Sequence, residues 1–195
     1  MFTGIITNTG TVAKISRTML TIRAERDIAR KLKKGDSIAV QGMCLTVTEK
    51  RGDSFSADVM PETFKRTNFS SLTAKSIVNL ELPATPKSFL SGHIVQGHID
   101  TVGTVKGIKK EGNQFTLSIS IPRQLSRYIS SKGSITVNGV SLTIIEAGLS
   151  RFSVGIIPHT WKSTMFHTLK PKFLVNIEVD ILAKYTEKLL SNSRE

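Results

Sequence analysis

The chain has 195 residues, with 27 Lys and Arg against 15 Asp and Glu, a formal net charge of +12 and a hydrophobic fraction of 39%. This length allows one large or two small domains, and no window approaches the run of roughly 18 apolar residues that a membrane span requires. The basic side chains are scattered and aromatic residues make up only 6%, too few to interleave a basic groove with stacking platforms for nucleic acid.

The N-terminal sequence and the cysteine content predict a cytoplasmic protein. The first residues, MFTGIITN, contain no basic region followed by an apolar stretch, so we expect no secretory signal. Cys44 is the single cysteine of the chain, which excludes a disulfide within it and gives no sign of an oxidising compartment.

The first half of the chain predicts short strands and one short helix. Residues 27–34 have the spacing of an amphipathic helix, and residues 55–59 form a short strand bounded by turn residues. Strand-forming residues also alternate between these segments, at Ile38, Val40, Leu45 and Val47. Their phase changes at Gly42, which predicts a kink or a bulge in the strand at this glycine.

The second half predicts further strands and two more helical segments. The strands are at residues 115–121, residues 152–157 and Leu174–Val179. One short helix is predicted at residues 123–131, after Pro122, and another at residues 181–190, where apolar side chains recur at i, i+3 and i+7 (Leu182, Tyr185 and Leu189). Many short strands with few helices favour a β-sandwich or a closed barrel, which leaves no exposed sheet edge.

An internal repeat is the most informative feature of the sequence. Residues 37–82 align without a gap on residues 134–179 at a constant offset of 97, and 19 of the 46 pairs are identical. The segment NTGTV at residues 8–12 matches TVGTV at residues 101–105 at an offset of 93, so the second copy has four extra residues between the two blocks. A period of this length exceeds the roughly 20–50 residues of a solenoid unit and indicates a duplicated domain.

The duplication predicts two homologous domains, at residues 1–92 and 93–180. Residues 181–195 have no counterpart in the first copy, which continues instead as Pro83-Ala84-Thr85-Pro86. An amphipathic segment added after two β-domains serves packing or oligomerisation more often than chemistry, because its apolar stripe requires burial. We therefore expect an oligomerisation helix and a tail at the C-terminus.

Six short motifs, taken in order, resemble the riboflavin synthase family over the full length of the chain. They are MFTGII at residues 1–6, GMCLTV at 42–47, GHIVQGHID at 92–100, NGVSLT at 138–143, IPHT at 157–160 and NIEVD at 176–180. The resemblance implies an all-β fold of two tandem six-stranded Greek-key barrels with a C-terminal helix. It also implies a homotrimer, with each active site between the N-terminal barrel of one subunit and the C-terminal barrel of its neighbour.

The reaction that the resemblance implies is the last step of riboflavin biosynthesis. Two molecules of 6,7-dimethyl-8-ribityllumazine, one bound in each barrel, undergo transfer of a four-carbon unit and give riboflavin and 5-amino-6-(ribitylamino)uracil. Neither a cofactor nor a metal is implied. The sequence agrees about metals, since Cys44 has no cysteine partner and His93 and His98 would lie on opposite faces of a strand.

The resemblance also assigns residues to the site. It associates turnover with Phe2, Cys44, His98, Ser141, Thr143 and Asp180. It places lumazine contacts on Gly4, Ile5, Ile6, Cys44, Leu45, Thr46, Asp58, Val59, Met60, Pro61, Glu62, Thr63, Gly97, His98, Ile99, Lys132, Ser141, Leu142, Thr143, Gly155, Ile156, Ile157, Pro158, His159 and Thr160.

The two copies differ at positions that the resemblance assigns to the site. Cys44 aligns with Ser141, Ile5 with His98, Glu62 with His159 and Pro83 with Asp180. Because the two lumazines have different roles, such differences are expected between a donor and an acceptor pocket. The 7-methyl group of the lumazine is acidic, and His98 is the first candidate for moving its proton. Ser141 and Thr143 are candidates for holding the ring or passing a proton, and Cys44 for adding to the ring or hydrogen-bonding to it.

Two other functions fit parts of the sequence. A non-catalytic lumazine- or flavin-binding protein, like the fluorescent antenna proteins of luminous bacteria, would have the same barrels, and a basic barrel that binds nucleic acid would explain the net charge. Structural interpretations also exist for Cys44, as a small core residue, and for Lys132-Gly133, as a solvated turn matched by Lys34-Gly35. The motifs retained in both copies favour the enzyme.

Overall fold

The computed structural model describes residues 1–192 and forms two closed six-stranded antiparallel barrels. The first barrel contains β1 (Asn8–Ile15), β2 (Met19–Ala24), β3 (Ser37–Val40), β4 (Met43–Arg51), β5 (Ser54–Asp58) and β6 (Ile77–Glu81). The second contains β7 (Thr101–Glu111), β8 (Gln114–Ser120), β9 (Ser134–Val137), β10 (Val140–Ala147), β11 (Arg151–Ile156) and β12 (Leu174–Val179). In both barrels the strands neighbour one another in the order first, second, fifth, fourth, third and sixth, which is the Greek-key arrangement that the resemblance implies.

Short helices connect the strands, and a longer one follows the last strand. Over residues 1–192 they are α1 (Arg26–Lys31), α2 (Pro61–Arg66), α3 (Pro158–Ser163) and α4 (Ile181–Asn192), with 3-10 turns at Asn68–Ser71, Arg123–Tyr128 and Met165–Thr168. No helix in this range is long and apolar enough to cross a membrane. The tail predicted at the end of the chain includes residues 193–195, which lie outside the described residues.

Two of the three predicted helices are confirmed, and the third has a different form. Helices α1 and α4 lie at the segments predicted from residues 27–34 and 181–190. The segment predicted as a helix at residues 123–131 is a 3-10 turn that ends at Tyr128. The Ser126 hydroxyl donates to the carbonyl of Arg123 at 2.8 Å, and this local bond competes with the i to i−4 pattern of an α-helix.

Gly42 lies in a two-residue hairpin turn between β3 and β4, so the prediction of a kink or bulge there is wrong. Gln41 and Gly42 have φ angles of 50° and 79°, and Asn138 and Gly139 have 47° and 80° in the equivalent turn of the second barrel. Positive φ at both central residues is typical of the type I′ turn, whose twist suits an antiparallel hairpin. The phase of the apolar pattern changes at Gly42 because the pattern continues onto a second strand.

Each barrel has its own apolar core. The largest fully buried side chains include Leu20, Ile22, Ile38, Phe69 and Leu80 in the first barrel and Leu117, Ile119, Phe152 and Phe166 in the second. Buried and exposed residues alternate along the start of β4 and of β10, so one face of each strand packs into its core and the other faces outward. Each repeat therefore folds around a separate interior, as expected for a duplicated domain.

Buried asparagines on the sixth strand of each barrel join the two barrels. Asn79 donates from Nδ2 to the carbonyl of Asn138 at 3.0 Å and accepts from the N–H of Met165 at 2.7 Å. Asn176 makes the equivalent pair of bonds, to the carbonyl of Gln41 at 2.9 Å and from a backbone N–H of the first barrel at 2.7 Å. This pseudo-twofold contact fixes the two type I′ hairpins against each other, next to the strands that carry the candidate site.

Candidate functional site

One extended segment precedes the first strand of each barrel and crosses to the opposite barrel. We call them arm 1 (residues 1–7) and arm 2 (residues 93–100). Ile6 of arm 1 packs into the core of the second barrel, and Ile99 of arm 2 packs against the core of the first. Each barrel is therefore completed by the arm that belongs to the other repeat.

Each arm forms one backbone hydrogen bond with the strand that follows the type I′ turn. The N–H of Ser141 on β10 donates to the carbonyl of Gly4 at 2.8 Å, and the N–H of Cys44 on β4 donates to the carbonyl of Gly97 at 2.9 Å. These bonds bring Gly4 together with Ser141 and Gly97 together with Cys44. The predicted site residues therefore divide into a first site at Cys44 and a second site at Ser141, each built from both repeats.

Two glutamates hold the arms in place. Glu81, at the end of β6, accepts from the N–H and the hydroxyl of Thr3 at 2.7 and 2.8 Å and from the N–H of Gly4 at 3.1 Å. Glu178, at the equivalent position of β12, accepts from the N–H groups of residues 96–98 at 2.7, 3.0 and 3.2 Å. Both side chains are buried. Each carboxylate therefore fixes the backbone that faces the neighbouring candidate site.

Burial changes the protonation of both glutamates. It raises the pKa of the Glu178 carboxyl to about 7, although the N–H donors of Gln96 and Gly97 act in the opposite direction. It also raises the pKa of Glu81 above its ordinary value, against the hydrogen bonds from Thr3 and Gly4. In both cases the cost of removing a charge from water exceeds the stabilisation that the donors supply.

Two glycines allow the arms to approach the strands. Gly4 and Gly97 have φ angles of 76° and 82°, a conformation that residues with a Cβ rarely adopt. A Cβ on Gly4 would lie 2.6 Å from the Cβ of Ser141, and a Cβ on Gly97 would lie 2.6 Å from the Cβ of Cys44. Both positions therefore require glycine for close backbone approach as well as for backbone angle.

The first site contains a small open cavity beside Cys44. Its volume is about 170 Å³, and its walls are formed by Met43, Cys44, Glu62, Thr63, Arg66, Thr67, Gly97, His98 and Ile99. Six of these nine residues are among the predicted lumazine contacts. Within this wall the Glu62 carboxylate is paired with Arg66, and His98 is exposed. The cavity is smaller than the roughly 300 Å³ at which ligand pockets usually begin, so it can enclose only part of a bicyclic ligand.

The second site is organised around Ser141. Its Oγ lies 2.7 Å from Nδ1 of His93, a buried imidazole at the start of arm 2. Burial lowers the pKa of His93, and the negative charge of Asp180 acts in the opposite direction. Asp180 itself accepts from the N–H of Leu182 at 3.0 Å and so begins helix α4. Thr143 lies two residues beyond Ser141 on the same face of β10 and is exposed.

The loops after β5 and β11 carry most of the remaining predicted contacts, and Glu62 and Thr63 of the first loop line the cavity at Cys44. Residues 58–63 end β5 and begin α2, and residues 155–160 do the same between β11 and α3. Met60 and Ile157 occupy equivalent positions and are 70% and 56% exposed. His159 is also exposed, whereas its counterpart Glu62 is paired with Arg66.

Several predicted site residues are part of the core. Their side chains are buried at Phe2, Ile6, Leu45, Val59, Leu142 and Ile156. Phe2 forms an antiparallel bridge with Val95, with N–H to O distances of 2.7 and 3.1 Å, and its ring lies under Gly97. A ligand outside the barrels can contact most of these residues only through the backbone, and the Phe2 side chain packs beneath arm 2.

Lys132 occupies a position that has glycine in the first barrel. Its φ angle is 66° and its N–H donates to the carbonyl of Ile144 at 2.8 Å. Gly35 has a φ of 93° and donates to Val47 at the same distance. The counterpart of Lys132 is therefore Gly35, and the pairing of Lys132-Gly133 with Lys34-Gly35 is wrong by one residue. A lysine in a left-handed turn is uncommon, and its side chain is exposed.

Three residues of the site were not singled out from the sequence. Glu81 and Glu178 occupy equivalent positions of the two copies. A glutamate retained in both copies, on a strand expected to be apolar, is the sequence signal that could have identified them. For His93 the sequence argument extends only to metal binding, which the spacing of His93 from His98 disfavours.

The structure offers no metal centre in the part of the chain that it describes. No group of three or more His, Cys, Asp or Glu side chains lies within reach of one ion over residues 1–192. Residues 93–98 do not form the strand that the spacing argument assumed. His93 and His98 are nevertheless separated, because one bonds to Ser141 and the other lines the cavity at Cys44.

Comparison with known families relates both repeats to one domain type. The family described as "Lumazine binding domain" matches the chain twice, at residues 3–83 and 96–180. Each match contains one complete barrel and part of the arm that precedes it.

Curated relatives and solved structures extend the comparison to the whole chain. Riboflavin synthase from Actinobacillus pleuropneumoniae is 43% identical over 194 residues, which cover 97% of this chain and 90% of that protein. Riboflavin synthase from Bacillus amyloliquefaciens is 39% identical over 199 residues, covering 100% and 92%. Among solved structures, LumP complexed with 6,7-dimethyl-8-(1'-D-ribityl) lumazine has a TM-score of 0.84 at 30% identity, and LumP complexed with riboflavin has 0.86 at 31%. Both alignments cover 92% of this chain and 99% of the other.

Proposed function

This chain belongs to the riboflavin synthase family, and we infer from that membership that it converts two molecules of 6,7-dimethyl-8-ribityllumazine into riboflavin and 5-amino-6-(ribitylamino)uracil. The observation that carries this function is about 40% identity to curated riboflavin synthases over the full chain, with a lumazine-binding domain in each repeat. The reaction is a group transfer between two copies of one substrate, so it requires two binding sites for the same molecule.

The duplicated site geometry supports this reaction. The sites at Cys44 and Ser141 have the same construction, with a strand after a type I′ turn, an arm from the other repeat and a buried glutamate behind that arm. Two related pockets can hold two lumazines in fixed mutual orientation. Such positioning can contribute several kcal/mol to the rate, with about 7–11 kcal/mol as the upper range.

We propose that the complete active site forms between subunits of a homotrimer. The cavity at Cys44, about 170 Å³, is too small and open to enclose the ligand, so a second surface must cover it. A copy of the second barrel from a neighbouring subunit would place a second lumazine opposite the first. Helix α4 supports this assembly, because Leu182 and Tyr185 are each 56% exposed on it.

The roles of individual residues are part of the proposal. Cys44 and His98 line the first site, and Ser141 and Thr143 face outward at the second. Phe2 supports arm 2 below Cys44. The lumazine contacts are proposed for the exposed loop residues and for the backbone of the buried ones, and Lys132 is proposed as a contact from its exposed turn.

A non-catalytic lumazine- or flavin-binding protein is the second candidate function. It is favoured by the similarity to LumP, which has been solved with a lumazine and with riboflavin. The curated relatives at 39–43% identity are named riboflavin synthase, whereas the identity to LumP is 30–31%. The enzyme is therefore the better supported candidate, and a cytoplasmic location remains a prediction from the single cysteine.

One assay separates the two candidates. The purified chain is mixed with 6,7-dimethyl-8-ribityllumazine alone, and riboflavin is measured by its absorbance. We expect one riboflavin for each two lumazines consumed, without added metal, nucleotide or oxygen. Tight lumazine binding without any riboflavin would contradict the enzyme and support the binding protein.

A further inference from the structure

The hydrogen bond between His93 and Ser141 distinguishes the second site from the first. Nδ1 of His93 lies 2.7 Å from the Ser141 hydroxyl, and the backbone N–H of His93 donates to the carbonyl of Thr3 at 3.2 Å. The preceding residue is Gly92, where a Cβ would lie 2.1 Å from that same carbonyl and 3.0 Å from the Ser141 hydroxyl. Arm 1 and Gly92 therefore fix the imidazole against this serine.

The first site lacks an equivalent bond. Cys44 occupies the position of Ser141 and pairs with arm 2 in the same way, through Gly97. Over residues 1–192, no side chain forms a hydrogen bond with the Cys44 thiol. The exposed His98 lines the cavity there but makes no side-chain hydrogen bond within the described chain. A hydroxyl coupled to an imidazole thus occurs only at the second site of the described chain.

We propose that His93 is a positioning residue for the reaction, which holds the Ser141 hydroxyl and receives its proton. This inference rests on the proposed function. A C–H bond of the 7-methyl group of the lumazine at the second site breaks, and its electron pair delocalises over the ring. The proton passes to Oγ of Ser141 while the hydroxyl proton passes to Nδ1 of His93, which becomes an imidazolium near the Asp180 carboxylate.

The surroundings of His93 suit this role. Burial lowers its pKa, so the ring is neutral and able to accept a proton at neutral pH, while the charge of Asp180 stabilises the imidazolium once it forms. The tautomer follows from the proposed step: Nδ1 accepts from the serine hydroxyl and Nε2 carries the hydrogen. Reversal of the transfer in D2O then places deuterium on the 7-methyl group of bound lumazine.

The test compares two substitutions at His93 in the full chain. His93→Asn keeps a side-chain hydrogen bond within reach of Ser141 but cannot take up a proton, whereas His93→Ala removes both. We expect both variants to lower kcat and the rate of 7-methyl deuteration, measured by NMR, by about 100-fold, a typical contribution of general acid–base catalysis. Lumazine affinity should change by less than about threefold, because the transferred proton matters in the transition state. Ser141→Ala combined with His93→Ala should be no slower than either single variant.

Each outcome has a defined meaning. His167→Gln is the matched control and should leave both rates unchanged. The His167 ring bonds to the carbonyl of Thr164 in the 3-10 turn region. If His93→Asn has the wild-type kcat and deuteration rate while His93→Ala does not, His93 is only a structural hydrogen-bond partner and the inference is wrong. If the deuteration rate of both His93 variants equals that of the wild type, it is also wrong. A wild-type chain that forms no riboflavin refutes the proposed function, and the inference with it.

Discussion

Glu178 shows how one buried side chain determines the geometry of a site more than 80 residues away in the sequence. Its carboxylate accepts from three consecutive N–H groups of arm 2, including that of Gly97, whose carbonyl in turn accepts from Cys44. The donors favour the charged form and burial favours the neutral one, and burial dominates. The position of arm 2 is therefore linked to the protonation of one carboxyl group.

This linkage predicts that stability falls as pH rises. The pKa of Glu178 is 4.5 ordinarily and about 7 in the folded chain, so the folded chain binds more protons between these values. The contribution is fully present below pH 4.5 and is lost as the pH passes about 7. At about 1.4 kcal/mol per pKa unit, the free energy of unfolding should fall by up to about 3 kcal/mol across this window. Urea unfolding at a series of pH values, for the wild type and Glu178→Gln, measures it.

The difference between the two pH profiles isolates Glu178, because all other titrating groups are common to both chains. We expect a flatter profile for Glu178→Gln. Glu146→Gln, at an exposed position of β10, is the control and should keep the wild-type slope. Equal slopes for Glu178→Gln and the wild type would show that the carboxyl does not titrate in this window.

The exchange of cysteine for serine between the sites predicts unequal roles in catalysis. Cys44→Ser makes the first site more like the second, and His98→Ile makes arm 2 more like arm 1. Each should lower turnover by about tenfold or more while lumazine affinity changes by less than about threefold, because the lost interaction acts in the transition state. Steady-state kinetics, ligand titration and thermal unfolding of each variant provide the measurements. Wild-type turnover in both variants would show that the differences between the copies do not encode the two roles.

At this scale the sequence was informative about which residues belong to the candidate site and less about how they are grouped. The family motifs predicted Cys44, Gly97 and His98 as separate lumazine contacts, and the structure shows that these three residues line one cavity. The supporting glutamates and His93 were missed, because their function arises from bonds to the backbone of a distant segment. Such bonds leave no periodic pattern in a single sequence.

At the scale of elements, strand prediction succeeded where short runs of strand-forming residues are bounded by turn residues. Leu174–Val179 is predicted with its observed bounds, and residues 55–59, 115–121 and 152–157 each differ by one residue from the strands found. The hairpin at Gly42 was misread because a two-residue turn leaves the apolar pattern nearly continuous. The arms were not predicted, because short extended segments carry no signal for the barrel with which they pair.

The close approach of arm 2 to β4 predicts a large effect of one added methyl group. In Gly97→Ala the new Cβ would lie 2.6 Å from the Cβ of Cys44 and 2.9 Å from its backbone nitrogen, so the arm must move away. We expect a loss of about 2 kcal/mol or more in unfolding free energy, and loss of lumazine binding at the first site. Thermal unfolding and ligand titration measure the two effects.

Gly52→Ala is the matched control for that substitution. Gly52 has a φ angle of 58° in the hairpin turn between β4 and β5, and an added Cβ there would meet no atom within 4 Å. It therefore places an alanine at a positive φ angle without the steric conflict. If both variants are destabilised equally and both bind lumazine as the wild type does, close packing of arm 2 on Cys44 is not required for the site.

At the scale of the whole molecule, duplication explains more than the number of barrels. The offset of 97 relates Asn79 to Asn176, and these two residues make reciprocal bonds across the interface between the barrels. The repeat predicted two similar domains but not their contact, because a side chain that pairs across an interface has the same sequence signature as one within a barrel. The crossing of the arms also ties the sites together, since neither barrel alone contains both halves of its site.

The exposed apolar side chains of helix α4 predict how the protein assembles. The helix is held on its own subunit by an ion pair between Glu187 and Arg127 at 2.7 Å and by Lys184 with Asp100 at 2.5 Å. Leu182 is exposed on the same helix and, like Tyr185, is available to a neighbouring subunit.

Replacing Leu182 and Tyr185 tests the assembly without unfolding the helix. In sedimentation the wild type should have three times the mass of one 21.4 kDa chain. The double variant Leu182→Glu, Tyr185→Glu should sediment as a monomer, because two charges at an apolar interface are not compensated. It should keep its thermal stability while losing turnover by about 100-fold or more, since an active site shared between subunits cannot form. A chain ending at Asp180 should behave in the same way. The control is Thr186→Glu, which adds a charge at a neighbouring exposed position and should remain trimeric and active. A double variant that stays trimeric would exclude α4 as the interface, and a fully active monomer would place both lumazines within one subunit.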